Sequence, residues 1–293
     1  MKIGLVGLGR MGRAMQARLT EHGCEVRAWD RDPRAMRAAA REQVHLADSP
    51  RAVAAFGDVV ISTITEDNGV RGIFRNGNGF LAGDVTGKLF IEMSTLQPAT
   101  GRELAPAVAA AGARLIDAPV LGTIPSVKEG RLFALVGGRD EDVEAARPVL
   151  AKLTRKVAHM GPNGAGYAMK LAVNLGLAAF IQATAESLAL GAREGLSVQQ
   201  MLDVLGEAPT ANGWFAAKKG LLAGEPADIT LDLKTLRKDI MSAVATAAAG
   251  GQPMPLSSGV LASLSAAVAN GWGDRDIGEL AKFFREHMGQ SFG

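Results

Sequence analysis

The sequence predicts an α/β fold in which a doubly wound parallel sheet is followed by an all-α C-terminal domain, with a long helix joining the two. Strand and helix patterns alternate from the N-terminus, and a glycine-rich turn follows the first strand. After Gly164 the pattern is helical to the end of the chain. We therefore predict domains at residues 1–162 and 163–293.

The predicted elements follow from short apolar runs and from longer stretches of helix formers. Strands are predicted over Lys2–Val6, Cys24–Trp29, Val59–Thr63, Leu89–Met93, Arg114–Ile116, Phe133–Val136 and Lys156–Met160. Early helices are predicted over Arg13–Glu21, from about Pro98, and over Asp140–Lys152. Later helices are predicted over Gly164–Glu194, Ser197–Leu205, Trp214–Leu222, Thr230–Ala249, Leu256–Asn270 and Arg275–His287.

The first turn reads GLGRMG, a GxGxxG pattern between a strand and a helix. Gly7 permits a tight turn, Gly9 lets the backbone approach a pyrophosphate, and Gly12 allows the helix to pack closely on the strand. Phosphates would then bind at the helix N-terminus. This context predicts a Rossmann domain whose cofactor-binding residues include Gly7, Leu8, Gly9, Arg10, Met11 and Gly12.

Asp30 ends the second predicted strand, 23 positions after Gly7, where a carboxylate binds the adenosine ribose hydroxyls. The negative charge of Asp30 would repel the 2′-phosphate of NADP, and Asp32 adds a second negative charge. The adjacent Arg31 could instead hold that phosphate, or could be a solvated surface residue. NAD is therefore favoured as the cofactor, and NADP stays possible.

Ligands of such sheets bind beyond the carboxyl ends of the strands. Cofactor contacts are therefore expected at Thr63, Ile64 and Thr65, with Ser94, Thr95 and the loop from 117 to 123 lining the same crevice. Alternatively, Ser94 or Thr95 only caps the helix that begins near Pro98.

The stretch from Gly164 to Glu194 is apolar on nearly every face, which is typical of a buried helix. Lys170 and Asn174 lie four residues apart and therefore share one face. We expect them to carry chemistry, although a lysine can extend its amine to solvent and a buried asparagine can serve only structure. A helix this apolar also predicts self-association, as a homodimer or homotetramer.

Composition excludes several classes of function. The net charge of +2 is spread along the chain, so no nucleic-acid partner is expected. The single cysteine, Cys24, excludes an internal disulfide or a cysteine metal cluster, and no metal site is predicted. The N-terminus lacks the pattern of a signal peptide, and the charge-free part of the long helix is short and polar for a membrane span. A cytoplasmic location without a membrane partner is expected.

Four stretches together resemble one family over the whole chain: GLVGLGRMG at the start, DAPVLGTIPSVKEGRLFALVGG at 117 to 138, GAGYAMKLAVN at 164 to 174, and KDIMSA at 238 to 243. The sequence is similar to the β-hydroxyacid dehydrogenases, a family that is related to 6-phosphogluconate dehydrogenase. It includes 3-hydroxyisobutyrate dehydrogenases, tartronate semialdehyde reductases and glyoxylate reductases. The resemblance implies an enzyme that transfers a hydride between NAD(P) and a small β-hydroxy acid or its carbonyl partner.

The resemblance also implies roles for individual residues. Lys170 matches the catalytic lysine, which can exchange a proton with the reacting oxygen. Asn174 matches the asparagine that orients the substrate and the lysine, and Lys238 matches the lysine near nicotinamide and substrate. Ser94 and Thr95 correspond to substrate and cofactor contacts, and Gly122 lies in the loop that cradles the substrate carboxylate.

The substrate loop departs from the DAPVSGG pattern that is typical of hydroxyisobutyrate enzymes. Leu121 removes a hydroxyl donor, and Thr123 adds bulk where the carboxylate would rest. This allows a less carboxylate-dependent substrate, such as the C=N substrate of an imine reductase. Lys170 argues against that alternative, since imine reductases usually lack this lysine, and Lys170 with Asn174 argues against a non-catalytic nucleotide sensor.

Overall fold

The structure is a computed structural model that describes residues 1–42 and 44–288. Residue contacts divide the chain into two compact units, Met1–Leu171 and Ala172–Gly293. The predicted boundary at residues 162 and 163 marks the end of the alternating pattern, whereas the division by contacts falls nine residues later.

The first unit contains one sheet of nine described strands. They are β1 Lys2–Val6, β2 Glu25–Trp29, β3 His45–Leu46, β4 Val59–Ser62, β5 Leu89–Glu92, β6 Arg114–Asp117, β7 Val120–Leu121, β8 Leu132–Gly137 and β9 Thr154–Gly161. Their order is β3-β2-β1-β4-β5-β6-β8-β7, and β9 pairs with β8. This order, with the first strand central and the chain reversing beside it, is that of a Rossmann sheet. The predicted fold class is confirmed.

Seven α-helices are described in this unit, and they lie in the connections between strands other than that from β6 to β7. They are α1 Arg10–Glu21, α2 Pro33–Arg41, α3 Pro50–Phe56, α4 Asp67–Arg75, α5 Pro98–Ala110, α6 Ile124–Lys128 and α7 Asp140–Leu153. The predicted helix near Pro98 is confirmed as α5, but its N-cap residue is Gln97. The alternative in which Ser94 or Thr95 caps this helix is therefore wrong.

The sheet is not wholly parallel, which differs from the prediction. β8 runs antiparallel to β6 and β7, and the remaining pairs are parallel. The chain reverses its direction through β7 and α6, and the segment Leu121–Thr123 lies where these two short elements meet. At two and five residues they are too short to produce a readable hydrophobic period.

The carboxyl ends of five strands lie in one register row. Val6 pairs with Trp29 and Ser62, Ser62 pairs with Glu92, and Glu92 pairs with Asp117. Because the strands end together, the residues that follow them share one edge of the sheet. This edge is where ligands of open α/β sheets bind.

The long helix, α8, spans Ala165–Arg193 without interruption. Its length and composition alone would allow it to cross a membrane, but a core helix of a soluble protein passes the same test. In its most apolar 18-residue window, 39% of residues are buried. The first turns of α8 belong to the first unit, and the rest belongs to the second.

The regular elements described in the second unit are helices, and an isolated β-bridge joins Asp232 to Asp276. After α8 come α9 Val198–Glu207, α10 Gly213–Ala223, α11 Leu233–Ala249, α12 Pro255–Ala267 and α13 Leu280–Phe283. Its core contains Leu188, Leu236, Leu264 and Phe283, all fully buried. The predicted helix Leu256–Asn270 ends earlier, and the chain turns at Gly271 with φ of 80°. The predicted helix Arg275–His287 is replaced by short 3-10, α and π segments.

Candidate active site

A cavity of about 540 Å³ opens at the carboxyl edge of the sheet in the first unit. Its lining includes seven of the predicted cofactor residues, which are Gly7, Gly9, Asp30, Arg31, Thr63, Ile64 and Thr65. The volume is within the usual range for a small-molecule or cofactor site. The cavity therefore lies where the sequence predicts the dinucleotide.

The three glycines of the first turn each have a steric reason. Gly7 has φ of 103°, and a Cβ there would lie 2.0 Å from the carbonyl oxygen of Thr63. A Cβ on Gly12 would lie 1.9 Å from the carbonyl oxygen of Gly7, so the helix could not pack as closely. A Cβ on Gly9 meets nothing within 4 Å, because this residue faces the cavity.

The N-terminus of α1 supplies donors for an anion beside Gly9. Gly9 is the N-cap residue and provides no side chain to accept hydrogen bonds from the first turn. Backbone N–H groups at a helix start favour a bound phosphate, and the helix dipole adds to this attraction. The cradle left open by Gly9 therefore fits the pyrophosphate of a dinucleotide.

Asp30 lines the cavity, and its carboxylate is fixed by backbone hydrogen bonds. Its Oδ2 accepts from the N–H of Leu8 at 2.6 Å, and its Oδ1 accepts from the N–H of Asp32 at 2.8 Å. The Asp32 carboxylate caps α2 by accepting from the N–H of Arg34, which lowers the pKa of Asp32. Asp30 thus has an oriented carboxylate at the cavity wall, and the exposed Arg31 lies beside it.

Other predicted cofactor residues lie near the cavity but outside its lining. Leu8 is buried and contributes its N–H to Asp30, and Met11 packs against the core. Arg10 is exposed at the start of α1, and Thr95 follows β5. Gly12 contacts the turn rather than the cavity. Their assignment to cofactor binding stays a prediction.

The structure adds cavity residues that the sequence analysis did not identify. They come from the segment after β3 and from α4 with its following turn, and include Ser49, Pro50, Asn68, Gly69, Ile73 and Asn78. The two-residue strand β3 gives no hydrophobic pattern that would reveal its position. Next to this wall, the sequence analysis predicted only the contacts at Thr63, Ile64 and Thr65, which precede α4.

Ser94 is buried beneath the cavity wall. Its Oγ accepts a hydrogen bond from the N–H of Ile64 at 2.8 Å and donates to the Glu92 carboxylate. Glu92 also accepts from the Tyr167 hydroxyl at 2.5 Å. Burial raises the pKa of Glu92 to about 7, although these hydrogen bonds favour its charged form. Neither Glu92 nor Tyr167 was identified from the sequence.

The predicted substrate loop is tied to α6. The N–H of Thr123 donates to Ser126 Oγ at 3.3 Å, so this backbone donor already has a partner in α6. Gly122 has φ of 137°, and a Cβ there would lie 2.7 Å from the Leu132 side chain. Leu121 pairs with Phe133 on β8. The loop thus has a defined conformation, in which Leu121 and Thr123 are half-buried.

Lys170 is half-buried on α8, and the turn before it is anchored to the sheet. Asp117 accepts from the N–H of Gly164 at 2.7 Å and from the N–H of Tyr167 at 3.1 Å. Burial raises the pKa of Asp117 to about 6, against the lowering effect of these N–H groups. The first turns of α8 are therefore held by the side chains of Asp117 and Glu92.

The second unit brings Asn174 and Lys238 to one carboxylate. Asp239 on α11 accepts from the Asn174 amide at 2.7 Å, and it pairs with Lys238 Nζ at 2.7 Å. Asn174 and Asp239 are both 3% exposed. The Nδ2 group of Asn174 thus has the structural partner that the buried-amide alternative expects. Asn174 also shares this carboxylate with Lys238, so a role in substrate binding stays a prediction.

No metal site emerges within residues 1–42 and 44–288, where no three His, Cys, Asp or Glu side chains cluster. The predicted site residues instead form two groups. In the first unit, seven predicted cofactor residues line the cavity, whereas Ser94, the segment Leu121–Thr123 and Lys170 lie outside its lining. In the second unit, Asn174 and Lys238 meet at Asp239. Lys170 and Asn174 lie one turn apart on α8.

Two known protein families match this chain. Residues 2–161 match the family described as the NAD binding domain of 6-phosphogluconate dehydrogenase. Residues 164–284 match the family described as NAD-binding of NADP-dependent 3-hydroxyisobutyrate dehydrogenase.

Individual relatives are similar over most of their length. A 3-hydroxyisobutyrate dehydrogenase of Pseudomonas aeruginosa is 34% identical, covering 87% of this chain and 88% of that protein. An NAD-dependent L-serine dehydrogenase of the same organism is 29% identical, with 99% of each chain covered. The solved structure of Mycobacterium tuberculosis 3-hydroxyisobutyrate dehydrogenase with L-serine has a TM-score of 0.85 and 30% identity, covering 97% of this chain and 99% of that one.

Proposed function

Because the chain belongs to the β-hydroxyacid dehydrogenase family, we propose that Lys170 is the general acid and base of an NAD-preferring dehydrogenase for a small β-hydroxy acid. The family membership makes the protein an NAD(P)-dependent oxidoreductase that acts on a small molecule by hydride transfer. The finer proposal rests mainly on the position of Lys170. This residue follows the turn that Glu92 and Asp117 hold, in the same compact unit as the cavity.

The reaction needs a proton to move with the hydride that the nicotinamide supplies or takes. In reduction, Lys170 Nζ donates a proton to the oxygen that becomes the alcohol, and in oxidation the neutral amine takes the alcohol proton. Asn174 and Lys238 orient the substrate, and Asp239 fixes both of these side chains. Ser94 and the segment Leu121–Thr123 complete the proposed substrate contacts.

We favour NAD as the cofactor because the carboxylate of Asp30 is held in place by two backbone N–H groups. A fixed carboxylate at this position accepts from the ribose hydroxyls and repels a 2′-phosphate. The relatives are divided on this point, since one is described as NAD-dependent and one matched family as NADP-dependent. Arg31 is the residue that could support binding of NADP.

The substrate loop supports a small substrate that depends less on backbone donors for its carboxylate. The N–H of Thr123 already donates to Ser126, and Leu121 offers no hydroxyl. Relatives of this chain are described as acting on 3-hydroxyisobutyrate and L-serine. We propose a β-hydroxy acid of similar size, or its semialdehyde.

A substrate panel tests this proposal. The purified protein would be assayed with NAD and with NADP against 3-hydroxyisobutyrate, L-serine, small semialdehydes and cyclic imines, with cofactor absorbance as the readout. We expect turnover of a hydroxy acid or semialdehyde, fastest with NAD. Turnover confined to cyclic imines would contradict the proposal, and so would tight NAD binding without turnover of any compound.

We also propose that the protein forms a homodimer or homotetramer in the cytoplasm. Large apolar side chains of the second unit are exposed, including Leu190 at 66%, Val204 at 71% and Leu256 at 65%. Exposed apolar side chains favour association, and Leu190 lies on the long apolar helix α8. Light scattering should give a mass of two or four chains, and a monomer would contradict the proposal. Cell fractionation tests the location.

A further inference from the structure

Glu92 is a carboxylate in an otherwise apolar strand. The four residues of β5, LFIE, are all buried, and Glu92 is 1% exposed. Burying a charge among apolar groups is costly unless hydrogen bonds compensate for the lost water. The proton exchange proposed for Lys170 does not by itself explain why a carboxylate is buried at this position.

The hydrogen bonds around Glu92 have a defined direction. Ser94 Oγ accepts from the N–H of Ile64, so its own proton is directed to Glu92 Oε1. The hydroxyl of Tyr167 donates to Oε2 at 2.5 Å, and the N–H of Ser94 donates to the same oxygen at 3.1 Å. Ser62 Oγ donates to Oε1 at 3.3 Å. The ionised carboxylate accepts all four bonds, whereas a protonated one would have to donate to one of these groups.

The two ends of this network lead to different parts of the proposed site. Through Ser94 it reaches the N–H of Ile64, a residue that lines the cavity. Through Tyr167 it reaches α8, three residues before Lys170, and residues three apart are neighbours on a helix surface. Tyr167 is the only tyrosine of the chain and is 2% exposed.

The first turns of α8 have little freedom to shift along the sheet. A Cβ on Gly166 would lie 2.3 Å from the carbonyl oxygen of Leu135, and one on Gly101 would lie 3.1 Å from the Tyr167 ring. Asp117 holds the backbone of the same turns. The phenol of Tyr167 supplies the side-chain link from these turns to Glu92, the last residue of the strand that precedes Ser94.

We propose that Glu92 is a positioning residue for hydride transfer, because it fixes the Ser94 hydroxyl and, through Tyr167, the turn of α8 that carries Lys170. This inference rests on the role proposed above for Lys170 and Ser94. Glu92 itself is 1% exposed and is not among the residues that line the cavity. Its effect on turnover passes through the placement of these two residues.

Three variants test the inference, and a fourth serves as the control. Tyr167→Phe removes one oxygen, Glu92→Gln keeps the shape of the side chain, and Glu92→Asp keeps the charge but shortens it. Ser62→Ala removes a hydrogen bond to the same carboxylate without touching either end of the network. The probes are 3-hydroxyisobutyrate and L-serine with NAD, and kcat is expressed per folded molecule.

We expect Tyr167→Phe and Glu92→Gln to lower kcat by about tenfold or more, as misplaced catalytic groups do. Ser62→Ala should stay within about twofold of the wild type, and Glu92→Asp should recover part of the loss. The affinity for NAD should change little in any variant. The primary deuterium isotope effect on kcat should rise in the two impaired variants, because hydride transfer becomes the slow step.

A purely structural role predicts a different outcome. The variants would then lose stability, but their folded fraction would keep the kcat and isotope effect of Ser62→Ala, and the inference would be overturned. If Glu92→Gln does not fold, Tyr167→Phe decides alone. Lys170→Ala in the same assay separates the two proposals: wild-type turnover in that variant contradicts the role of Lys170, whichever result Tyr167→Phe gives.

Discussion

The side-chain amide of Asn174 donates to Oδ2 of Asp239 at 2.7 Å, and Oδ1 of the same buried carboxylate pairs with Lys238. One acidic side chain therefore holds two of the proposed substrate residues. Removing the charge of this buried carboxylate should weaken its interactions with both partners.

Asp239→Asn should consequently raise KM for the hydroxy acid and lower kcat. The two effects together should lower kcat/KM by about tenfold or more. NAD affinity should change less, because the cavity lies in the first unit. Asp274→Asn is the matched control, since Asp274 pairs with a lysine of the same helix, Lys234, at an exposed position. Steady-state kinetics measure both, and equal values for the two variants would contradict the role of Asp239.

Lys170→Ala should lower kcat by at least about a hundredfold, the scale of general acid and base catalysis, while NAD affinity is retained. Lys170→Arg keeps the charge but should remain nearly inactive, because a guanidinium does not release its proton near neutral pH. Turnover and NADH binding by fluorescence measure the two effects. Wild-type turnover in either variant would show that this lysine does not transfer the proton.

Gly9→Ala and Gly12→Ala should fail in different ways. Gly9 has φ of −64°, which alanine adopts freely, and its Cβ would point into the cavity without meeting protein atoms. Thermal unfolding should therefore match the wild type, while NAD affinity falls by about tenfold or more because the pyrophosphate loses its close approach. Gly12→Ala should lower the melting temperature even without cofactor, since its Cβ would overlap the Gly7 carbonyl. Unaltered NAD binding by Gly9→Ala would argue against a phosphate at this turn.

Asp30→Ser should reduce the preference for NAD over NADP by about tenfold, as the charge that repels a 2′-phosphate is removed. Asp32→Ser is the informative comparison, because serine keeps the cap of α2 while the second negative charge is lost. A smaller change is expected from it. The ratio of kcat/KM values for the two cofactors is the measurement, and an unchanged ratio in Asp30→Ser would contradict the proposed preference.

Glu92 should make the protein less stable as the pH rises. Its pKa is about 7 in the folded protein against a usual 4.5, so between these values the folded chain binds more protons than the unfolded chain. The free energy of unfolding therefore falls with rising pH across this window, by about 3 kcal/mol at most. Urea unfolding of the wild type and Glu92→Gln at about pH 5 and about pH 8 should show a steeper fall in the wild type. Asp117, whose pKa is also raised, is present in both proteins. Parallel pH profiles would contradict this assignment.

Strong local patterns allowed much of the first unit to be predicted. The runs at Lys2–Val6, Val59–Ser62 and Leu89–Glu92 are mostly apolar, and each adjoins a glycine or a polar residue on at least one side, so each could be predicted as a strand. The dinucleotide turn was equally clear, because its glycines lie between a strand and a helix. Helix α8 was predicted to within one residue at each end.

Pairings between distant segments could not be predicted from local patterns. Glu92 and Tyr167 are 75 positions apart, and only the fold brings them together. The same is true of Asn174 and Asp239, whose link joins two helices. The antiparallel segment at Val120–Leu121 was missed because a two-residue strand has no measurable period. Sequence patterns identify elements and motifs, whereas supporting hydrogen bonds depend on tertiary contacts.

Lys170 lies in the unit that ends at Leu171, although its helix continues for 22 more residues to Arg193. A chimaera made by joining halves of two relatives at residue 162 would thus take Asp117 and Glu92 from one parent and Tyr167 and Lys170 from the other. A junction after Leu171 takes all four of these residues from the same parent. Recombination between homologues, in the laboratory or in evolution, should accordingly be tolerated better within the helix than at the visible change of secondary structure.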